Sequence, residues 1–338
     1  MRPKPSRPTT IYDLARLAGV SAPTASKALN GRPDVGEATR RKVLDLAAKL
    51  DFTPSRMARG LAQSRSENIG LIVVRRHDIP FFSNPFYSRV LEGIEAEVAA
   101  RDHNLLLSFL AVGAVDARLP KKIRERNVDG LILMGWDPAG MVDGLAERGL
   151  PVVTIDRAVP GLPSHAIQID NTGGISEAVR RLKAAGHRRL GYVGGPPSEQ
   201  SFTERRRAFD ASCADLGLTA GPALSATATR ELLDADFAAY LRRRDRPTAV
   251  VCANDDHAIK LMAAAASLGL SVPGDLALTG FDDIEAAALS RPGLSTLGVD
   301  KRLLGSLAVQ RLGEIIAGTR AGSGEERLPV AWVPRASV

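Results

Sequence analysis

Four polar side chains stand where apolar runs end or in the segments just after them. Asp156 follows PVVTI, Asn254 follows AVVCA, Asp282 follows LALTGF, and Arg205 lies beyond LGYVGG. Carboxylates accept hydrogen bonds, an amide donates and accepts, and a planar guanidinium grips two oxygens at once. That set suits the hydroxyls of a polyol or sugar better than a flat nucleobase. Phe86 or Tyr87 offers an aromatic face for the apolar side of a sugar ring. A different chemistry sits in VSAPTASKALNG (20–31), where Ser21, Thr24 and Ser26 carry hydroxyls and Lys27 a charge, with Thr39 following. Hydroxyls and helix N-termini hold phosphates, and Lys is a donor for guanine. Plainer readings stand beside these: Asp156 and Asp282 as capping or surface residues, Asp170 and Asn171 as turn formers, Phe86 and Tyr87 as core.

The elements that position these groups are legible. Thr10 with Asp13 forms a capping-box pair opening a first helix, whose apolar residues Ile11, Leu14, Ala15 and Ala18 keep helical spacing. Gly19 suits a turn, and Ser21 caps a second helix over 22–29. Pro23 is tolerated there because first-turn N–H groups lack intrahelical acceptors. A third helix spans about 38–50, with Val43, Leu46, Ala47 and Leu50 on one face and an uncapped Gly36 before it. Two short helices joined through a glycine, the second with an exposed polar face, make a helix-turn-helix. After residue 55 comes the short helical segment RMARGLAQ, and then a different texture. Nine apolar runs at 69–74, 105–110, 129–134, 151–156, 166–170, 190–195, 249–255, 276–283 and 295–300 alternate with helical segments. Such runs predict parallel sheets covered on both faces, as one large sheet or two. Ligands of such folds lie beyond the carboxyl ends of the strands, in a cleft between lobes.

Charge separates the same regions. Of 45 Lys and Arg and 38 Asp and Glu in 338 residues, residues 1–65 hold 13 and 5, leaving 32 against 33 beyond. The basic excess of the +7 chain is therefore N-terminal, and a basic module on a neutral body points to a polyanion, nucleic acid ahead of membrane. Cys213 and Cys252 are too few for a disulfide framework or a cysteine zinc site. MRPKPSRPTT has no apolar core of a signal peptide, and no run approaches a membrane span, so a soluble cytoplasmic protein is expected. There is no G-x-S-x-G and no H-E-x-x-H, and the five histidines (His77, His103, His165, His187, His257) lack metal-ligand spacing. Gly191, Gly194 and Gly195 match neither a P-loop nor a dinucleotide fingerprint. Neither enzyme, cofactor nor metal is expected.

An ordered series of motifs then carries a resemblance. TIYDLARLAGVSAPTASKALNG (10–31), TRRKVLDLAAKLDFTPSRMARGLA (39–62), SNPFY (83–87), VDGLIL (128–133), VVTIDR (152–157), GHRRLGYVGGPP (186–197), RPTAVVCAND (246–255) and VPGDLALTGFDDI (272–284) resemble the lactose/galactose-repressor (LacI/GalR) family of bacterial transcription regulators. The resemblance covers nearly the whole chain. It implies an α/β fold class: an N-terminal all-α helix-turn-helix domain (1–53), a hinge helix and linker (54–67), and a periplasmic-binding-protein-like body (68–338) of two lobes, with parallel sheets covered by helices. It places Ala22, Pro23 and Lys27 at base edges in the major groove and Ser21, Thr24, Asn30 and Thr39 at phosphates. Arg56 and Arg59 fall in the hinge helix, and Leu61 at its minor-groove wedge. Gly60 stands where the family often has Ser, which disfavours a free hinge helix by about 1 kcal/mol.

For the body, the resemblance implies an effector set of Phe86, Tyr87, Asp156, Ser201, Arg205, Asn254 and Asp282. The expected partners are double-stranded operator DNA, a sugar-like effector and a second copy of the chain, with no membrane. The expected function is a homodimeric repressor whose operator affinity is changed by that effector. The alternatives are a corepressor-dependent regulator with a non-sugar ligand, a solute-binding protein and an α/β sugar enzyme. The tail AWVPRASV has no leucine heptad, so no four-stranded tetramer is expected.

Overall fold

The computed structural model describes residues 10–29, 31–50, 52, 66–75, 82, 84–111, 120, 123, 125, 127–135, 142–197, 199–225 and 230–338. The chain divides into two compact units, 1–67 and 68–338.

In the first unit, helices α1 (Ile11–Ala18), α2 (Ala22–Leu29) and α3 (Glu37–Lys49) enclose a core of Leu14, Ala15, Ala18, Ala25, Ala28, Val35, Val43 and Ala47. The expected capping box is present: Thr10 Oγ1 accepts from the Asp13 N–H, and Asp13 Oδ2 accepts from the Thr10 N–H. Gly19 takes φ +69°, the left-handed turn that lets α1 stop and α2 begin. Ser21 Oγ accepts from the Thr24 N–H and so caps α2. The third helix starts one residue before the expected position, behind a Gly36 that offers no side-chain cap.

The second unit begins with β1 (Asn68–Arg75), α4 (Pro85–Ala100), β2 (Asn104–Ala111), β3 (Gly130–Gly135), α5 (Val142–Ala146), β4 (Val152–Ile155) and β5 (His165–Ile169). There follow α6 (Asn171–Ala184), β6 (Arg189–Gly194), α7 (Gln200–Asp215), β7 (Thr219–Ser225), α8 (Arg230–Leu241), β8 (Ala249–Cys252), α9 (Asp255–Ser267) and β9 (Ala277–Thr279). The chain ends with α10 (Glu285–Leu289), β10 (Thr296–Gly298), α11 (Lys301–Ile316), β11 (Gly324–Leu328) and β12 (Ala331–Val333). All nine expected strands form, and all but β10 lie in two parallel sheets. The first runs β11-β5-β4-β3-β1-β2, the second β7-β6-β8-β9, and β10 pairs antiparallel with β12.

The central strands of each sheet are buried on both faces, which is why they read as unbroken apolar runs. In β1, Leu71 and Val73 face Val90 and Ile94 of α4 and Leu304 and Leu312 of α11, whereas Ile72 and Val74 join Leu131, Leu133 and Leu145 on the other side. In the second sheet, Leu190 and Val251 pack with α6 and α7, and Val250 and Leu278 with α8 and α9. The chain leaves the first sheet after β5, returns through α11 to add β11 beside β5, then leaves again for β12. Helices α4 and α11 touch backbone to backbone: a Cβ on Gly93 would collide with the Arg302 carbonyl, and one on Gly305 with that of Val90. Among the described residues no helix is long and apolar enough to cross a membrane. None of their His, Cys, Asp and Glu form a group able to hold a metal ion.

Candidate nucleic-acid interface and ligand cleft

In the helical unit, α2 buries Ala25 and Ala28 and turns Ser21, Pro23 and Lys27 outward. Ala22 is half-buried against the helical core, and Thr24, Ser26 and Thr39 are also partly covered. The hydroxyls of Ser21 and Thr24 are 2.8 Å apart at the helix start. Lys27 Nζ donates to Asp34 Oδ2 at 2.5 Å, and this ammonium holds the Asp34 carboxyl below the usual range. Asn30, Arg56, Arg59 and Leu61 lie outside the described residues.

In the body, the polar strand ends meet at the carboxyl ends of the two sheets. Asp156 follows β4 at φ +63° and Asp282 follows β9 at φ +107°, both in the region that favours glycine. Backbone strain of this kind is kept where the surrounding structure over-determines it. Arg205, on the second turn of α7, is 4% exposed and organises the floor of the cleft. Its guanidinium lies 3.7 Å from the centre of the Phe281 ring, and Nε donates to Asn171 Oδ1 at 2.8 Å. Nη1 donates to the Ala253 carbonyl and stands 3.7 Å from Asp282 Oδ1.

Burial dominates the electrostatics. It pushes the Asp282 carboxyl up to about 8, with Asp255 and Asp156 adding to the rise and Arg205 opposing it. It pushes Asp156 up to about 6, again against Arg205. Asp156 Oδ1 is sealed from solvent and has no hydrogen-bond partner among the described residues. The Tyr87 hydroxyl is held well above its ordinary range, first by burial and then by the charges of Asp156, Glu199 and Asp282. Tyr87 and Asp156 come from the first lobe, and Arg205 and Asp282 from the second, so the fields of both lobes overlap in one cleft.

The remaining expected residues divide. Asn254 Oδ1 caps α9 by accepting from the His257 N–H. Ser201 is buried in the first turn of α7. Phe86 packs into the core of the first lobe, edge-on to Tyr87, and so supports the cleft from behind.

Several residues of the floor were not among the expected site residues. Asn171 is buried, accepts from Arg205 and donates to Glu204 at 2.8 Å. Asp255, fully buried and pushed up to about 6, accepts from Thr296 Oγ1 and the Ile284 N–H and so ties down the loop bearing Asp282. Lys301 Nζ donates to the carbonyls of Asp282, Asp283 and Val299, which occupies that cation away from the ligand. Gln200 Oε1 accepts from the Ala158 N–H at 3.2 Å and links α7 to the loop after β4. The signal for Asn171 was its place directly after β5, where an Asp-Asn pair reads equally well as a turn.

A module that presents one short helix outward, joined to a two-lobed body with a charged cleft, defines a ligand-responsive DNA-binding regulator. Residues 10–55 match the bacterial regulatory proteins of the lacI family, and residues 179–338 the periplasmic binding protein-like domain. The chain is 32% identical to the HTH-type transcriptional repressor PurR of Photobacterium profundum, over 90% of this chain and 91% of that one. It is 31% identical to the ribose operon repressor of Haemophilus influenzae, over 90% of both. A solved structure of the lac repressor dimer bound to operator and the anti-inducer ONPF superimposes with a TM-score of 0.85 at 26% identity, covering 98% of this chain and 99% of that one. A cellobiose complex of the transcriptional regulator CelR gives 0.74 at 26% identity, covering 98% and 100%. The chain belongs to the lacI family of bacterial regulatory proteins, DNA-binding repressors of transcription.

Proposed function

We propose that this protein is a homodimeric repressor whose operator affinity is lowered by a neutral, sugar-like molecule held between the lobes. The observation that carries the ligand class is the meeting of Asp156, Arg205 and Asp282, with a sealed Asp156 oxygen that no group among the described residues satisfies. A buried acceptor without a donor is destabilising, and a ligand hydroxyl supplies the donor. Tyr87, Ser201 and Asn254 complete the polar lining, with Phe86 behind them. An anionic effector finds little welcome, because Arg205 is already engaged and Lys301 is bound to backbone carbonyls.

On the DNA side, Ser21, Thr24, Ser26, Asn30 and Thr39 hold phosphates, and Ala22, Pro23 and Lys27 face base edges. Arg56, Arg59 and Leu61 act from the hinge in the minor groove. Neither Ala22 nor Pro23 has a side-chain donor, so direct reading by them is apolar, as against a thymine methyl. Two copies place two α2 helices in successive major grooves of a near-palindromic operator. The domain limits 1–53, 54–67 and 68–338 follow this division of labour. The protein turns over no substrate, and its site of action is the cytoplasm.

The switch requires the effector to bind the low-affinity arrangement better than the high-affinity one. Thermal unfolding of the full chain with ribose, cellobiose, other neutral sugars and purines tests the ligand class, since a ligand selective for the native state raises the midpoint. A sugar that raises it and weakens operator binding supports the proposal. A rise with purines alone, or a sugar that tightens operator binding, overturns it in favour of a corepressor-dependent regulator.

A further inference from the structure

Lys27, the cation on the outward face of α2, does not stand alone. Asp34 is held against it by the way the helix stops. Gly31 adopts φ +68°, its N–H donates to the Ala28 carbonyl, and the Arg32 N–H donates to the Lys27 carbonyl at 3.0 Å. That pair of bonds is the Schellman stop, which folds the chain back along the helix end. Val35 is then buried in the helical core, and Arg40 Nη2 donates to the Arg32 carbonyl at 2.7 Å. Asp34 is therefore fixed between two anchored neighbours rather than swinging on a free loop. Its pairing with Lys27 is half exposed on both sides, 53% and 54%, so it is cheap to rearrange.

A carboxylate at this position works against simple attraction to DNA. It cancels the charge of Lys27 and repels phosphates. It becomes useful where a base pair satisfies both members. In the major groove a G·C pair shows two adjacent acceptors, O6 and N7 of guanine, and beside them the N4 amino donor of cytosine. An ammonium next to a carboxylate is the complementary order, with Lys27 donating to guanine and Asp34 accepting from cytosine. An A·T pair breaks that order, because the adenine amino donor lies between its two acceptors.

We infer that Asp34 is a specificity-determining residue: Lys27 and Asp34 together read a single G·C pair of each operator half-site. The inference rests on α2 entering the major groove, as proposed above. On other sequences Asp34 either keeps Lys27 or loses it to a phosphate and is left unpaired, which lowers affinity.

The test uses the full-length chain. Duplexes are enriched from a randomised pool by the unmodified protein, and each G·C of the half-site is changed in turn to A·T. Binding is measured for the unmodified chain, Lys27→Met, Asp34→Asn and the double variant. One G·C position is expected to be worth about 10- to 100-fold to the unmodified chain. At that position each single variant and the double variant are expected to discriminate by less than about 3-fold. Asp34→Asn is also expected to bind random duplex more tightly, since it removes a charge that repels phosphate. If Asp34→Asn strengthens every duplex equally and keeps the unmodified discrimination, the joint reading is overturned and Asp34 is only a charge brake. If the affected position prefers A·T, it is overturned likewise. If the unmodified chain enriches no sequence at all, the failure lies with the DNA-reading proposal, and this inference falls with it. Asp34 is exposed, so an unchanged thermal midpoint will show that the variants fold.

Discussion

The two ends of this molecule use charge in opposite ways. In the helical unit the ion pairs are exposed: Arg41 with Glu37, Arg16 with Asp13, Lys27 with Asp34. Each is screened by water and salt, adds little to stability and is cheap to rearrange. In the cleft, Arg205 and Asp282 are nearly sealed, and both acidic groups facing Arg205 are pushed upward by burial. There burial favours the protonated carboxyls, so their charge state is set by what surrounds them. The difference lies in depth rather than in residue type, and depth is what makes one region a reader and the other a sensor.

The largest expected effect follows from depth. Arg205→Ala leaves Asn171 Oδ1 and the Ala253 carbonyl without their donor and Asp282 without the cation 3.7 Å away, and is expected to destabilise the chain by about 3 kcal/mol and remove the effector response. Denaturant unfolding and operator release measure both, and a loss below about 1 kcal/mol would show that the cleft behaves like an exposed surface. The pH dependence is next. Asp282 moves from 3.8 when unfolded to about 8 when folded, so the folded chain retains its proton over that interval. The corresponding stability is complete below about pH 4 and is lost as pH rises through 8, with a slope of up to about 1.4 kcal/mol per pH unit. Asp282→Asn should remove its share of the fall in thermal midpoint, most clearly between pH 6 and 8, above the range in which Asp156 and Asp255 titrate; an unchanged profile would contradict the buried state of this carboxyl. In the helical unit, Thr10→Ala breaks the capping box and is expected to cost about 1 kcal/mol, read from the unfolding of residues 10–50 by amide exchange. Smallest of all, Arg41→Ala loosens an exposed pair and should leave the midpoint unchanged.

How much of this was legible depended on how local the determinant was. Helices with caps beside them, such as α1 behind Thr10, could be placed to the residue. Strands buried on both faces appeared as apolar runs. Strand β7 (TAGPALS), β11 (GEERL) and β12 (AWV) escaped because they are short or lie at edges, where exposed polar residues break the pattern. In the cleft, Asp156, Asn254 and Asp282 were visible as polar ends of apolar runs. The roles of Asn171 and Asp255 were not, although Asp255 ends the run 249–255, because they depend on Arg205, Thr296 and Ile284, which are distant in sequence. Phe86 and Tyr87 looked equivalent until Asn84 capped α4 and turned one ring inward. The Lys27–Asp34 pair needed the helix stop at Gly31 to bring its members together.

The late return of the chain to the first sheet bears on how the protein is made. Five strands of that sheet emerge from the ribosome first, but α11, which covers them, and β11, which closes their edge beside β5, come more than 130 residues after β5 begins. Until residues 301–328 have been synthesised, Leu71, Val73, Ile132 and Ile155 lack one of their covering helices, and β5 presents a bare edge. The four parallel strands of the second lobe are all made by residue 279, but this lobe also waits for the C-terminus, where β12 pairs with β10 and Ser337 bonds to Leu278 and Ser295. A nascent chain stalled before α11 therefore leaves both lobes unfinished, the first without a covering helix and an edge strand and the second without its C-terminal strap, and both stay exposed to chaperones and proteases.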